Sequence, residues 1–169
     1  AWPQDILYDN HVMAGFIMPK IETTYKLFDI YRGGKNSVRA KLYPNYTWKY
    51  AAQFAYHLAW VVAHLHSRDI VIGDFNQNNI AVDPVFNTII LIDCDSFDIT
   101  DPKTGEHFPC TVGLPEMLAP ELQDVGSLSK GHFSKESDNF SLAIHIFRML
   151  MDNADPFGGI ITVDGSASV

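Results

Sequence analysis

The residue types and the spacing of three oxygen-bearing side chains suit the binding of a hard metal cation. Asp74 is followed five positions later by Asn79, and a short hydrophobic stretch then leads to Asp93. Mg²⁺ prefers carboxylate and amide oxygens, and a loop between short strands would hold a carboxylate base apart from the metal ligands. Taken singly, each of the three is an ordinary turn residue, so the chemical interpretation depends on the rest of the chain.

Two further segments follow in order along the chain. Residues 113–121 read Gly-Leu-Pro-Glu-Met-Leu-Ala-Pro-Glu, and residues 137–142 read Ser-Asp-Asn-Phe-Ser-Leu. The first looks like the Gly-Thr-Pro-x-Tyr-Met-Ala-Pro-Glu run that closes a kinase activation segment. The second is similar to the Ser-Asp-Val-Trp-Ser-Leu start of the central C-lobe helix of kinases. With these motifs in this order and spacing, the chain resembles eukaryotic-like protein kinases from the hinge to just past that helix.

The resemblance implies a role for each matched residue. Asp74 would accept the proton of the substrate hydroxyl, while Asn79 and Asp93 would hold Mg²⁺ on the phosphates of ATP. Asp138 would accept hydrogen bonds from backbone donors of the catalytic loop and so preorganise it. Glu121 would give structural support through an arginine that lies beyond residue 169.

The resemblance also implies an adenine site at the hinge. Met18 would gate the pocket, Pro19 would offer only its carbonyl, and Ile21 could pair with adenine through both backbone groups. A plain strand-ending role for Pro19 is equally open. The nearest likeness is to atypical bacterial kinases that accompany a PP2C-type phosphatase, on Met-Pro-Lys at 18–20 and Ile-Asp-Cys-Asp-Ser-Phe at 92–97. A protein substrate and a PP2C-type phosphatase are the expected partners.

Several positions depart from the kinase pattern. Ile72 and Gly73 replace the His-Arg pair before the catalytic Asp, so switching by a phosphorylated activation loop through that arginine is not expected. Asn76 stands where Ser/Thr kinases have lysine, and Leu114 stands where they have the threonine that partners it. These changes fall in one hydrogen-bonded unit, and they leave substrate class and rate open.

Three further polar residues are given structural roles. Asp95 replaces the glycine of the Asp-Phe-Gly motif. A capping or turn role for it together with Ser96 is favoured over metal binding. His66 ends the long helix before the catalytic loop, where a packed surface histidine is favoured over a ligand.

The phosphate clamp of a kinase is incomplete in this sequence. No Gly-rich phosphate loop, Val-Ala-Ile-Lys strand or Glu-bearing partner helix precedes the hinge, and the first residue is not methionine. We therefore expect a fragment or processed product whose N-lobe lies upstream in a parent protein, because ATP could not otherwise be positioned for transfer.

Hydrophobic spacing predicts the elements that must position these residues. Residues 48–66 form the clearest helix, and a second helix is predicted over residues 137–151 with Ser134 or Ser137 as its cap. Short strands are predicted at residues 15–18, 70–72, 80–82 and 88–92. Residues 98–114, rich in Pro and Gly, are predicted to be a loop.

The expected fold class is α+β, a protein-kinase-like fold with a hinge strand, a mostly helical C-lobe and most of the N-lobe missing. Residues 1–159 would form this partial domain, and residues 160–169 would be a tail or linker.

Composition limits the alternatives. A chain of 169 residues with 47% hydrophobic content can bury one core. A net charge of −8 with 12 Lys and Arg residues argues against a nucleic-acid or anionic-membrane partner. Cys94 and Cys110 form no disulfide framework or metal spacing, which favours a reducing cytoplasmic compartment. No apolar stretch is long enough to span a bilayer.

Three functions stay open. The leading one is ATP-dependent phosphoryl transfer to protein hydroxyl groups, of the Ser/Thr type. A catalytically weak or inactive pseudokinase scaffold is favoured by Asn76, Leu114 and the missing N-lobe. A small-molecule phosphotransferase of the aminoglycoside-kinase type also carries Gly-Asp before a spaced Asn, but the Ala-Pro-Glu run at 119–121 argues against it.

Overall fold

Helices and short strands come in groups along the chain. The computed structural model describes residues 2–21, 25–123, 125–128, 132–158, 161–163 and 166–168. The helices are α1 Leu27–Tyr31, α2 Val38–Leu42, α3 Trp48–His66, α4 Pro120–Gln123 and α5 Lys135–Leu150. The strands are β1 Asp5–Asp9, β2 Val12–Ile17, β3 Tyr25–Lys26, β4 Ile70–Val71, β5 Ile80–Asp83, β6 Thr88–Leu91, β7 Asp98–Thr100, β8 His107–Phe108, β9 Ile161–Val163 and β10 Ser166–Ser168. The fold is thus mixed α/β with small sheets.

The sheets of the described residues are small and antiparallel. They are β1-β2, β3-β5-β6, β4-β7-β8 and β9-β10. In the second of these, Ile80 of β5 lies opposite Leu91 of β6, and the Ile92 N–H donates to the Asn79 carbonyl at 2.9 Å. Because antiparallel strands bring the start of one beside the end of the other, this register places Asn79 next to the segment that carries Asp93.

Helix α3 packs on α5 and β6 through one apolar face. Ala51, Phe54, Ala55, Leu58 and Val62 are its buried residues. They recur three, four and seven positions apart, which puts them on one side of an α-helix. Burying a side chain as large as Leu or Phe contributes roughly 1.5–3 kcal/mol, so this face anchors the helix in the core. The helix predicted over residues 48–66 is confirmed.

Helix α5 begins two residues earlier than predicted, at Lys135 rather than Ser137. Ser134 and Ser137 form a capping box, in which each hydroxyl accepts a hydrogen bond from the backbone N–H of the other. Of the two caps proposed from the sequence, Ser134 is the one used. The box satisfies donors that the first turn of a helix leaves without intrahelical partners.

The loop predicted over residues 98–114 is wrong in part. Strands β7 and β8 pair within it, and β7 pairs with β4, so that Ile70 lies opposite Ile99. Strands of two or three residues are too short to leave a periodic pattern, and β4, with which β7 pairs, is distant in sequence. Likewise, β2 is longer than the predicted strand and pairs with β1, which was not predicted. The predicted tail contains the β9-β10 pair.

Buried His145 makes the stability of this fold sensitive to acid. The imidazole is fully buried, and burial lowers its pKa to about 3. The unfolded chain, with an ordinary histidine pKa, therefore binds a proton at mildly acidic pH, whereas His145 in the folded chain stays neutral. The stability linked to this group is present above pH 6.5 and is lost as the pH falls toward 3.

Lowering the pH from 7 to 4.5 is expected to cost roughly 2 to 3 kcal/mol through His145. Amide hydrogen exchange of α3 and α5 in the complete protein measures this loss. The control is His145→Gln, which cannot titrate and should lose that share of the pH dependence. Equal pH dependence in the two proteins would show that His145 is not responsible.

No described helix is both long and apolar enough to cross a membrane.

Candidate functional site

The loop between β4 and β5 holds the Asp74 carboxylate by both oxygens. The side-chain amide of Asn76 donates to Oδ1 at 2.9 Å, and that of Asn79 donates to Oδ2 at 3.0 Å. The Asn79 amide also donates to the Asp74 carbonyl at 3.0 Å. Two donors on separate oxygens fix the rotation of the carboxylate, so Asp74 is preorganised before any ligand binds.

Asn76 is buried, with 4% of its surface exposed. Its side-chain oxygen accepts the Asn78 N–H at 2.8 Å, and its own N–H donates to the Asp74 carbonyl at 3.0 Å. The residue that departs from the lysine of Ser/Thr kinases therefore supports Asp74 directly. The sequence showed the substitution but not this contact, because amide side chains are common in turns.

Asp93 follows β6 in a left-handed backbone conformation, with φ of 60°. A hydrogen bond with the Asp95 side chain, then burial, raises the pKa of Asp93 above its usual range. The negative charges of Asp95 and Asp74 raise this pKa further. Asp74 and Asp93 are therefore close enough for their negative charges to interact. A bound cation would relieve this repulsion between the carboxylates.

Asp95 lies in the 3₁₀ turn Cys94–Ser96, where a turn role was predicted for it together with Ser96. The Ser96 hydroxyl donates to the Asp93 carbonyl at 3.4 Å. The Asp95 side chain is instead hydrogen-bonded to the side chain of Asp93. Asp95 therefore has the predicted turn position, and its carboxyl group also raises the pKa of Asp93.

The hinge segment and Asp93 line one cavity of about 390 Å³. Its lining residues are Met18, Pro19, Lys20, Ile21, Ile92 and Asp93. The three residues predicted to bind adenine are thus brought together with a predicted metal ligand, although they are far apart in the sequence. Their role toward a nucleotide stays a prediction.

Asp138 on α5 holds the start of the Asp74 loop. It is 1% exposed, and its carboxylate accepts the Ile72 N–H at 2.7 Å and the Gly73 N–H at 3.0 Å. These are backbone donors of the loop, as the resemblance implied. His66 Nε2 lies 2.9 Å from Asp138 Oδ2. His66 is therefore not simply a packed surface residue, and the sequence carried no signal for a partner so distant along the chain.

Position 73 requires glycine, both for its backbone conformation and for the close approach of a neighbouring side chain. Its φ is 73°, and a Cβ atom there would lie 2.5 Å from the sulfur of Cys110. A side chain at this position would be strained and would displace the cysteine. The Cys110 N–H donates to Asp98 Oδ2 at 3.0 Å, and burial raises the pKa of the thiol. The close packing of Gly73 on Cys110 holds the segment after β8 against the Asp74 loop. In the kinase pattern an arginine stands at position 73.

The segment at 113–121 is anchored to α5. It contains the 3₁₀ turn Pro115–Met117, and the Ser141 hydroxyl donates to the Met117 carbonyl at 2.7 Å. Ala119 is buried, whereas Glu121 is exposed in α4. The supporting role of Glu121 stays a prediction.

Asp138→Ala is expected to destabilise the domain by roughly 2 to 5 kcal/mol, because two buried backbone N–H groups lose their acceptor. Amide hydrogen exchange of α3 and α5 in the complete protein measures the loss. The matched control is Asn139→Ala, an exposed position on the same helix. An Asp138→Ala protein as stable as that control would refute the anchoring role.

The metal-binding groups of the site are few. Among the described residues, no cluster of three or more His, Cys, Asp or Glu side chains is arranged to hold a metal ion. The candidates are the carboxylates of Asp93 and Asp95 and the amide oxygen of Asn79, whose nitrogen is bonded to Asp74. Such a small set fits Mg²⁺, which keeps waters and substrate phosphates among its ligands.

Comparison with known proteins shows a kinase-like relationship. The chain is 33% identical over 162 residues to the protein kinase YegI of Escherichia coli strain K12 and, equally, to that of Escherichia coli O157:H7. The matches cover 95% of this chain and 24% of each relative, so the chain spans about a quarter of the length of these relatives. No protein-family model matches the chain.

Proposed function

We propose that this chain is the hinge and C-lobe of a protein-kinase-like domain that binds Mg-ATP and phosphorylates protein hydroxyl groups, of the Ser/Thr type. The observation that carries the proposal is that the Asp74 loop lies beside the Asp93 segment, which in turn lines a cavity with the hinge residues. Asp74 and Asn79 share hydrogen bonds, the β5-β6 register brings Asn79 beside the Asp93 segment, and Asp93 lines the cavity of the hinge. The relationship to a protein kinase supports the same function.

The cavity suits a purine base. Its volume of about 390 Å³ is typical of small-ligand pockets, and Met18 and Ile92 contribute apolar walls. Pro19 has no N–H, so only its carbonyl can accept a hydrogen bond from adenine. Ile21 lines the same cavity, and its backbone N–H and carbonyl would pair with adenine.

Asn79 and Asp93 would hold Mg²⁺ on the nucleotide phosphates. The Asn79 amide nitrogen is used by Asp74, which leaves its oxygen for the metal. The neighbouring Asp95 carboxylate raises the pKa of Asp93, so a divalent cation bound at this pair would relieve the repulsion between the two carboxylates. Asp95 is the added carboxylate of this site relative to the kinase pattern.

Asp74 would act as the base of the reaction. Bound Mg-ATP would supply the phosphoryl group, and its Mg²⁺ would screen the negative charge of the phosphates. Asn76 and Asn79 hold the carboxylate in one rotation, so that a substrate hydroxyl meets an oriented acceptor for its proton. Asp138 keeps this loop in place through the Ile72 and Gly73 N–H groups.

The β1-β2 pair supports an N-lobe contributed by the parent chain. Its large apolar side chains are about half exposed or more, namely Ile6, Leu7, Tyr8, Val12, Met13, Phe16 and Ile17. A two-stranded ribbon is marginally stable alone, and a ribbon with apolar residues on both faces needs further strands. Residues 1–159 would then be one part of a longer kinase-like domain.

Partners and location extend the same proposal. The relationship to a protein kinase favours a protein substrate and a site of action where ATP is available, the cytoplasm. No finding tests the PP2C-type phosphatase partner, which stays a prediction.

The test is transfer of radiolabelled γ-phosphate by the complete parent protein, with and without Mg²⁺, to itself and to casein. Phosphoamino-acid analysis then separates Ser and Thr from Tyr. Mg²⁺-dependent labelling of Ser or Thr supports the proposal. Nucleotide binding without transfer to any acceptor would establish the scaffold function instead. Labelling of aminoglycosides but not proteins would establish the small-molecule phosphotransferase.

A further inference from the structure

A fully buried polar pair lies beneath the Asp74 loop and has no role in the chemistry described above. His145 of α5 is fully buried, and Tyr31 at the end of α1 is 1% exposed. His145 Nε2 lies 3.1 Å from the Phe75 carbonyl oxygen, and its Nδ1 lies 2.5 Å from the Tyr31 hydroxyl. The imidazole therefore connects two helices to the residue that follows Asp74.

The positions of the hydrogens follow from the partners. A carbonyl oxygen can only accept, so Nε2 must carry the proton and donate to Phe75. Burial lowers the pKa of His145 to about 3, so the ring is neutral and Nδ1 accepts the Tyr31 hydroxyl proton. Burial raises the pKa of Tyr31, so the hydroxyl keeps that proton. Tyr31 thereby sets the tautomer in which His145 donates to the loop.

The Phe75 carbonyl and the Asn76 N–H belong to one peptide group, which is held at both ends. His145 binds the oxygen, and the Asn76 N–H donates to the Asp74 carbonyl at 3.0 Å. The same peptide group carries the Asn76 side chain, whose amide donates to Asp74 Oδ1 at 2.9 Å. Rotation of this planar group would therefore move a donor away from the Asp74 carboxylate.

We propose that His145 is a positioning residue for Asp74, acting through the Phe75–Asn76 peptide group, with Tyr31 fixing its tautomer. The inference rests on the proposed function, because it assigns a positioning role toward the proposed base. His145 touches neither the hinge cavity nor Asp93. Its loss should thus affect the rate of transfer and leave nucleotide binding unchanged.

The test compares His145→Asn with His145→Gln in the complete protein. Both are polar and neutral, but the glutamine amide nitrogen reaches about as far as Nε2, whereas the asparagine amide reaches only as far as Nδ1. We expect His145→Asn to lower kcat about tenfold to hundredfold with KM for ATP unchanged. We expect His145→Gln to stay close to wild type. Val62→Ala, a buried core position on α3, controls for general loss of stability and should keep kcat.

A second measurement does not depend on activity. Amide hydrogen exchange of residues 74–79 should be faster in His145→Asn than in His145→Gln, because only the latter retains a donor to Phe75. Equal kcat and equal exchange in the two variants would overturn the proposal. If wild type transfers no phosphate, the proposed function fails, and the exchange measurement alone decides whether His145 orders the loop.

Discussion

Asp74→Asn is expected to abolish phosphoryl transfer by the complete protein while Mg-ATP affinity stays nearly unchanged. Asp74 is proposed to contact the substrate hydroxyl, whereas Asn79 and Asp93 are proposed to contact the metal. Loss of a positioned base typically lowers the rate about a hundredfold to ten-thousandfold without weakening ground-state binding. Binding and chemistry should therefore separate by residue.

The structure also predicts the cost of this substitution to folding. Both Asp74 oxygens accept amide donors, from Asn76 and Asn79. An asparagine at this position has one oxygen, so one of the two donors would face an NH₂ group. The cost is about 1 to 3 kcal/mol, which a stable domain tolerates.

The measurement pairs nucleotide affinity by calorimetry with transfer to casein. Asn78→Ala is the matched control, since Asn78 is an exposed residue of the same loop. Its transfer rate should equal that of wild type. A transfer rate for Asp74→Asn equal to that of the control would show that Asp74 is not the base.

Asp93→Ala is expected to remove the Mg²⁺-dependent part of nucleotide binding. Even outer-shell partners of metal sites cost roughly tenfold to hundredfold in affinity when mutated, and a direct carboxylate ligand should cost at least as much. The substitution leaves Asp95 as the sole carboxylate of the pair. Asn79 and Asp95 then offer too few oxygen ligands to hold the cation on the phosphates.

Backbone strain complicates the alanine variant, and Asp93→Asn resolves it. Asp93 has φ of 60°, where alanine costs roughly 1 to 2 kcal/mol but asparagine is tolerated. The two variants should lose Mg²⁺-dependent affinity alike if charge is the cause. Glu106→Gln, an exposed carboxylate nearby in the chain, is the control. Calorimetry with and without Mg²⁺ is the measurement, and unchanged Mg²⁺ dependence in Asp93→Asn would refute the ligand assignment.

Local periodicity made part of the fold predictable. Helix α3 and the strands around Val71, Ala81 and Leu91 have long or β-branched apolar patterns, and each was found close to its predicted bounds. Strands β7 and β8 were missed because strands of two or three residues depend on pairing, of β7 with β4 and of β8 with β7, and not on their own propensity. The β1 strand was also missed; it has five residues and pairs with β2.

Motif order indicated which residues belong to the candidate site, and a single sequence could do so because the motifs are local. Asp74 and Asn79 lie in one loop, and the hairpin between Asn79 and Asp93 is itself a local structure. The hinge cavity is different, since Met18 and Asp93 meet only when the chain has folded. Their proximity was implied by resemblance and could not be derived from spacing.

The sequence by itself determined the positions of the oxygen-bearing side chains, the two long helices and the order of the motifs, because these depend on residue type and on contacts between near neighbours. The tertiary structure decided how the site is supported. Asn76 holds Asp74, His66 and the loop N–H groups meet on Asp138, and His145 donates to Phe75. Each support other than Asn76 joins residues far apart in the chain. Burial then fixes the charge state of His145, which residue type alone leaves open.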